Sequence, residues 1–178
     1  PDDERILLSG ALLALQAGEH QQAGRWLRRL LALEARTDAA HYYLGRLAAN
    51  QRDYQAAIEH FRQAGGKYRI DARLAEAAAM AAQGRLTEGR RRLETLRAEN
   101  AEARVRAYVT EAELLRREDR MAESLDVLDR ALEAHSGNVE LLYARAMTRI
   151  QADRVESGLA DLERIIEQDA QHAPALNA

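Results

Sequence analysis

The sequence predicts an all-α protein built from helical hairpins, and three observations predict it. Ala and Leu, both strong helix formers, supply 36 and 25 of the 178 residues. Only two prolines, Pro1 and Pro174, interrupt the chain, so the commonest helix breaker is almost absent. The segment LGRLAANQRDYQAAIEHFRQA (44–64) reads as two amphipathic helices around a short polar turn. A turn that short forces the two helices antiparallel.

Composition also excludes chemistry. There is no Cys, so disulfides, thiolate metal sites and cysteine nucleophiles are excluded. Lys+Arg number 26 against 29 Asp+Glu, a net charge of −3 that argues against a general nucleic-acid binder. The apolar runs fall far short of the roughly 20 residues a membrane span requires. Of the basic residues, 25 are Arg and one, Lys67, is Lys. A GC-rich genome produces that bias, and Arg is also the bidentate, weakly hydrated cation suited to interfaces.

No catalytic residue, metal site or cofactor is expected. The five histidines, His20, His41, His60, His135 and His172, make no metal-ligand spacing. They read as hydrogen-bonded structural histidines, with His20 in a core slot and His41 in a packing slot. None of the four serines lies in a G-x-S-x-G elbow. Gly65-Gly66-Lys67 matches the last residues of a phosphate-binding loop, but Phe61 stands where Gly is needed and Tyr68 where Ser/Thr is needed. The abundant carboxylates read as solvated helix faces, and Arg90-Arg91-Arg92 as a solvated or ion-paired outer face.

The 44–64 segment resembles the tetratricopeptide repeat (TPR). That family's 34-residue pattern has small residues at positions 8 and 20, a large apolar residue at 24 and a small or apolar one at 27. Here these are Gly45, Ala57, Phe61 and Ala64, with Tyr54 at position 17. Carried along the chain, the frame gives repeats 4–37, 38–69, 70–104, 105–138 and 139–172, with a sixth starting at Ala173. The resemblance implies a right-handed α-α superhelical solenoid of five helical hairpins plus the start of a sixth, a single array over 1–178.

Each element then has a sequence reason. Position 8 is Ala11, Gly45, Ala77, Ala112 and Ala146; position 20 is Ala23, Ala57, Gly89, Ser124 and Gly158. All ten are small, as a close crossing of the two helices of a hairpin demands. Position 24, the large core knob, is Leu27, Phe61, Leu93, Leu128 and Leu162, and position 17 is His20, Tyr54, Leu86, Met121 and Val155. The turns are Gly18-Glu19, Arg52-Asp53, Gly84-Arg85, Asp119-Arg120 and Asp153-Arg154. The repeat-end proline is missing from every full repeat, and Glu111, Arg145 and Arg149 occupy slots that are ordinarily apolar. Repeat two is short and ends in Gly65-Gly66, which predicts an irregular junction. Pro1 falls at position 32 of a preceding repeat, and residues 175–178 begin a further helix. The chain therefore reads as a stretch of a longer array whose uncapped ends expose apolar surface and make end-to-end contacts.

The resemblance places a peptide-binding groove on the first helices. Its lining is Leu8, Leu12 and Leu15, then Tyr42, Tyr43, Arg46 and Asn50, then Leu74, Ala78 and Ala81. Arg106, Val109, Glu113, Arg116 and Arg117 follow, and then Glu140, Tyr143, Met147 and Ile150. The Lys/Asn clamp with which chaperone cofactors of the family hold a terminal carboxylate is not present.

The strings HYYLGRLA (41–48), LAEAAAMAAQGRLTEGRRRLETLRAEN (74–100), LDVLDRALEAHSGNVELLYARAM (125–147) and DLERIIEQDAQHAPALNA (161–178) further resemble one bacterial subfamily. Its members are large TPR lipoproteins on the periplasmic face of the outer membrane. They act as adaptors for a carboxyl-terminal processing protease and gather the cell-wall hydrolases it degrades. The resemblance implies a non-catalytic scaffold with protein partners of that kind, no nucleic acid, and membrane attachment only through an upstream lipid anchor. The alternative is the TPR arm of an exopolysaccharide secretion system that docks periplasmic modifying enzymes.

Overall fold

The computed structural model describes residues 3–172. Among these are ten α-helices and no strand: α1 (Glu4–Gln16), α2 (His20–Ala32), α3 (Thr37–Asn50), α4 (Tyr54–Gln63), α5 (Arg69–Ala82), α6 (Leu86–Glu99), α7 (Arg104–Arg117), α8 (Met121–Ala134), α9 (Val139–Gln151) and α10 (Val155–His172). The odd-numbered helices begin within one residue of the expected repeat starts. The even-numbered ones begin on the expected position-17 residues. The expectations resting on Pro1 and on 173–178 lie outside the described residues. None of the described helices is long and apolar enough to cross a membrane.

The chain forms two compact units, Pro1–Arg92 and Leu93–Ala178. In the first, Leu7, Ala11, Leu27, Leu30, Ala40 and Leu44 close a core among α1, α2 and α3. Ala57, Ile58, Phe61, Ala72 and Met80 close a second between α4 and α5. In the other unit, Ala112, Leu128, Ala131, Leu141 and Ala144 join α7, α8 and α9.

The same device ends the first helix of every hairpin. The second turn residue donates its N–H to the carbonyl five residues back: Glu19 to Ala14, Asp53 to Ala48, Arg85 to Met80, Arg120 to Leu115 and Arg154 to Arg149. The residue before it donates to the carbonyl three back, and this residue is Gly18, Arg52, Gly84, Asp119 or Asp153. This is the Schellman closure, whose turn residue must adopt positive φ. All five do, at +75°, +63°, +84°, +58° and +58° respectively. Two glycines accept this freely, while Arg52, Asp119 and Asp153 hold it against the steric preference of L-residues. Side-chain caps begin some of the helices, one after a hairpin turn and one at a repeat junction. The Asp53 carboxylate accepts from Ala56 N–H at 3.1 Å, and Asn138 Oδ1 accepts from Leu141 N–H at 3.1 Å.

All ten crossing residues are buried. A Cβ on Gly89 would lie 2.6 Å from the carbonyl oxygen of Ala77, its position-8 partner. One on Gly158 would lie 2.7 Å from Ile150 and 3.0 Å from the Ala146 oxygen, and one on Gly45 would lie 2.7 Å from the Phe61 ring. The serine in this series uses its extra atom, because Ser124 Oγ donates to the Ala112 carbonyl at 2.9 Å. Among the knobs, Leu27, Phe61, Leu93 and Leu128 are buried, whereas Leu162 is only half-buried.

Position 17 departs from expectation. His20 and Val155 are exposed, and Tyr54, Leu86 and Met121 are half-buried. As the first residue of its helix, each sits at a hairpin end, with no earlier turn of that helix beside it. Gly65-Gly66 does form an irregular junction: α4 stops at Gln63 and a 3-10 turn, Gly66–Tyr68, leads into α5. Asp38 holds it by accepting the Gly65 N–H at 2.9 Å, and a Cβ on either glycine would fall 2.8 Å from that carboxylate.

Candidate protein-binding clefts

Each unit carries its own cleft on its first helices. In the amino-terminal unit, Leu12, Leu15 and Gln16 of α1, His20 at the start of α2, and Tyr43, Arg46, Leu47 and Asn50 of α3 enclose about 440 Å³. On α3, Tyr43, Arg46, Leu47 and Asn50 share one face by their three- and four-residue spacing. The leucines form an apolar floor, and Arg46 and Asn50 stand exposed at the rim.

Beside this cleft lies a cluster of three tyrosines. Tyr42 stacks on Tyr68 with ring centroids 5.1 Å apart, and Tyr43 meets both edge-on at 5.1 and 5.8 Å. The Arg46 guanidinium stands 5.9 and 6.0 Å from the Tyr42 and Tyr43 centroids, and Lys67 Nζ lies 5.1 Å from that of Tyr68. Burial raises the pKa of both the Tyr42 and Tyr43 hydroxyls above the ordinary phenol value, with Arg46 pulling the other way.

In the carboxy-terminal unit, α7 and α9 enclose a smaller cleft of about 210 Å³. Val109, Ala112, Ala144, Met147 and Thr148 make its floor, and Glu113, Arg116, Glu140 and Tyr143 its rim. Tyr143 is more than half exposed, a large aromatic surface at the cleft rim.

Most of the expected lining residues fall into these two clefts, with informative exceptions. Leu12, Tyr43, Arg46 and Asn50 come together in the first, and Val109, Glu113, Arg116, Tyr143 and Met147 in the second. Tyr42 turns to the other side of α3, against Phe61 and Tyr68. Leu8 packs on the α1–α3 core and borders a separate depression with Asp38, Lys67 and Tyr68. Leu74 and Ala81 are buried in the fold rather than offered to a ligand, because α5 is enclosed along most of its length.

Sequence reasoning did not anticipate four charged or polar groups. Glu76 is buried and accepts from Arg62 and Arg92, each at 2.8 Å. Asp161 is buried between Arg145 (2.6 Å) and Arg149 (2.8 Å), and Arg145 also reaches Asp129 at 2.7 Å. Buried Glu111 meets Arg97 at 2.5 Å, and Arg97 in turn lies 4.4 Å from the Tyr108 centroid. The signal was available: charged residues at ordinarily apolar slots call for partners of opposite charge one helix away.

The fourth group is a histidine pair. His41 of α3 and His60 of α4 meet Nδ1 to Nδ1 at 3.0 Å, so one ring must donate and the other accept. Burial is the largest cause lowering both pKa values. Asp38 opposes it at His41, and at His60 the neighbouring His41 and Arg28 add to it while Glu59 opposes. Among the described residues no group of three or more His, Asp or Glu could hold a metal ion.

Fold and clefts together define a class: a helical-hairpin repeat protein that presents apolar-floored surfaces on its first helices. No family model matches the chain. It is 31% identical over 142 residues, 79% of its length, to the TPR repeat-containing protein PA4667 of Pseudomonas aeruginosa, and the match spans only 24% of that relative. Its fold is similar to MamA residues 41 to the end from Desulfovibrio magneticus RS-1 (TM-score 0.61, 16% identity, 96% of this chain and 97% of that one). It is also similar to YrrB, a TPR protein with an unusual peptide-binding site (TM-score 0.57, 20% identity, 99% and 91%). The repeat frame, this relative and these folds support a tetratricopeptide-repeat protein.

Proposed function

We propose that the chain is a non-catalytic scaffold that holds other proteins. Its partners in this reading are a carboxyl-terminal processing protease and/or the cell-wall hydrolases it degrades, on the periplasmic face of the bacterial outer membrane. The observation that carries the scaffold role is the pair of clefts, whose Leu, Met and Val floors and Tyr- and Arg-bearing rims match the cores and hot spots of protein interfaces. YrrB lends the same use of the fold, since it is described as having a peptide-binding site. The choice of partners rests on the four strings quoted above.

The test is affinity capture from a bacterial envelope extract, with an Arg46→Glu, Tyr143→Ala double variant as the control. Recovery of a carboxyl-terminal processing protease and cell-wall hydrolases, lost with the double variant, is the expected result. Recovery of polysaccharide-synthesis proteins alone would overturn the partner assignment in favour of exopolysaccharide secretion.

A further inference from the structure

The two clefts differ in charge. The first is lined by Arg46 and His20 and by no carboxylate; the second is lined by Glu113, Glu140 and Arg116. Arg46 is also placed unlike the arginines of the buried clusters. Arg62, Arg92, Arg97, Arg145 and Arg149 each meet a carboxylate, whereas Arg46 stands against two tyrosine rings with its rim position exposed. The Tyr42 side chain also hydrogen-bonds Arg46, and the guanidinium's planar fork has further N–H groups for an incoming carboxylate. The stacked Tyr42–Tyr68 pair fixes Tyr43 beside it, so little side-chain freedom is lost on binding. Asn50, one turn further along the same face, supplies an amide to the same region.

We infer that the amino-terminal cleft binds a protein segment in which an acidic side chain stands next to apolar ones. The carboxylate pairs with Arg46, with Asn50 as a second donor, and the apolar neighbours seat on Leu12, Leu15 and Leu47. This rests on the scaffold reading and adds the chemistry of the segment.

A phage-displayed library of random peptides, panned against the full chain and against Arg46→Glu, tests it. Peptides selected on the native chain should be enriched in Asp or Glu beside Leu, Ile or Phe, and the acidic enrichment should vanish on Arg46→Glu. The best selected peptide, dye-labelled and followed by fluorescence polarisation, should bind Arg46→Glu about tenfold or more weakly than the native chain, as expected for losing a charge-assisted hydrogen bond. Circular dichroism should show unchanged helicity, because Arg46 is exposed. Selection of basic or uncharged peptides, of none at all, or of acidic peptides equally well on Arg46→Glu would overturn the inference. Binding that survives Arg46→Glu but is lost in Tyr143→Ala would also overturn it, by placing the peptide in the other cleft. The scaffold reading stands or falls separately, on the envelope capture.

Discussion

Each unit buries one carboxylate between two arginines, Glu76 in the first and Asp161 in the second, yet the two clusters are built differently. The Glu76 side chain is 1% exposed, but its partners Arg62 and Arg92 are 50% and 35% exposed. The Asp161 side chain is 2% exposed and its partners Arg145 and Arg149 only 12% and 23%. In the first cluster the cations are snorkelling residues with water within reach. In the second they are committed to the interior, and the Asp161 bonds, the largest influence on Arg145, hold its pKa above the usual guanidinium value. What decides the cost of breaking such a pair is less the buried acid than where the cations left behind can go.

The largest expected effect follows from that difference. Asp161→Asn should cost about 3–5 kcal/mol of unfolding free energy, since it leaves enclosed Arg149 without its carboxylate and Arg145 with Asp129 alone. Glu76→Gln should cost only about 1 kcal/mol, because Arg62 and Arg92 can turn to water when the charge is removed. Urea unfolding of the two variants measures both, and equal losses would break the comparison. Next is the crossing of α5 and α6. Gly89→Ala sets a methyl against a backbone oxygen that cannot swing aside, so about 1–3 kcal/mol should be lost.

The histidine pair gives a smaller, pH-dependent effect confined to the first unit. The folded pKa values of His41 and His60 lie below the ordinary imidazole value of 6.5, so the folded state takes up protons less readily than the unfolded chain. Their contribution to stability is therefore full above pH 6.5 and falls as acidification passes from there toward the folded values. The fall in melting temperature on going from neutral pH to about pH 5 should be shallower in His60→Gln, whose amide does not titrate in that range. The smallest effect has the opposite sign. Arg52→Gly, at φ +63°, should stabilise by up to about 1 kcal/mol by removing left-handed strain, read as a rise in urea midpoint.

Much of this was legible in the sequence because the repeat imposes spatial constraints that leave a trace in residue size. The small residues at Ala11, Gly45, Ala77, Ala112 and Ala146 and at their five partners marked where helix axes must approach, and all ten are buried. The short polar turns marked the hairpin ends, and the Gly65-Gly66 pair marked the irregular junction. What the frame did not specify is which way a partly buried side chain turns. Tyr42 and Tyr43 are adjacent, yet Tyr42 packs on the α4–α5 core and Tyr43 on the α1–α3 core. The exposure of His20 depends on its place at a hairpin end, not on its residue type. Glu76 was read as part of a solvated face, because its partners Arg62 and Arg92 are 14 and 16 residues away. The clefts were anticipated as one groove lining. The structure resolves that lining into two clefts of different charge, one in each unit.

In the proposed scaffold the crossing residues hold the fold and the rim residues hold the partner. Gly45 and Arg46 are neighbours in sequence that the fold places oppositely: one is buried against Phe61, the other exposed at the cleft. The most direct test compares Gly45→Leu and Arg46→Ala by urea unfolding and by binding of a partner captured from envelope extract. Gly45→Leu should lose about 1–3 kcal/mol or more of stability. Arg46→Ala should unfold at the native midpoint while binding the partner more weakly. Equal destabilisation by the two, or undiminished binding by Arg46→Ala, would contradict the division of labour.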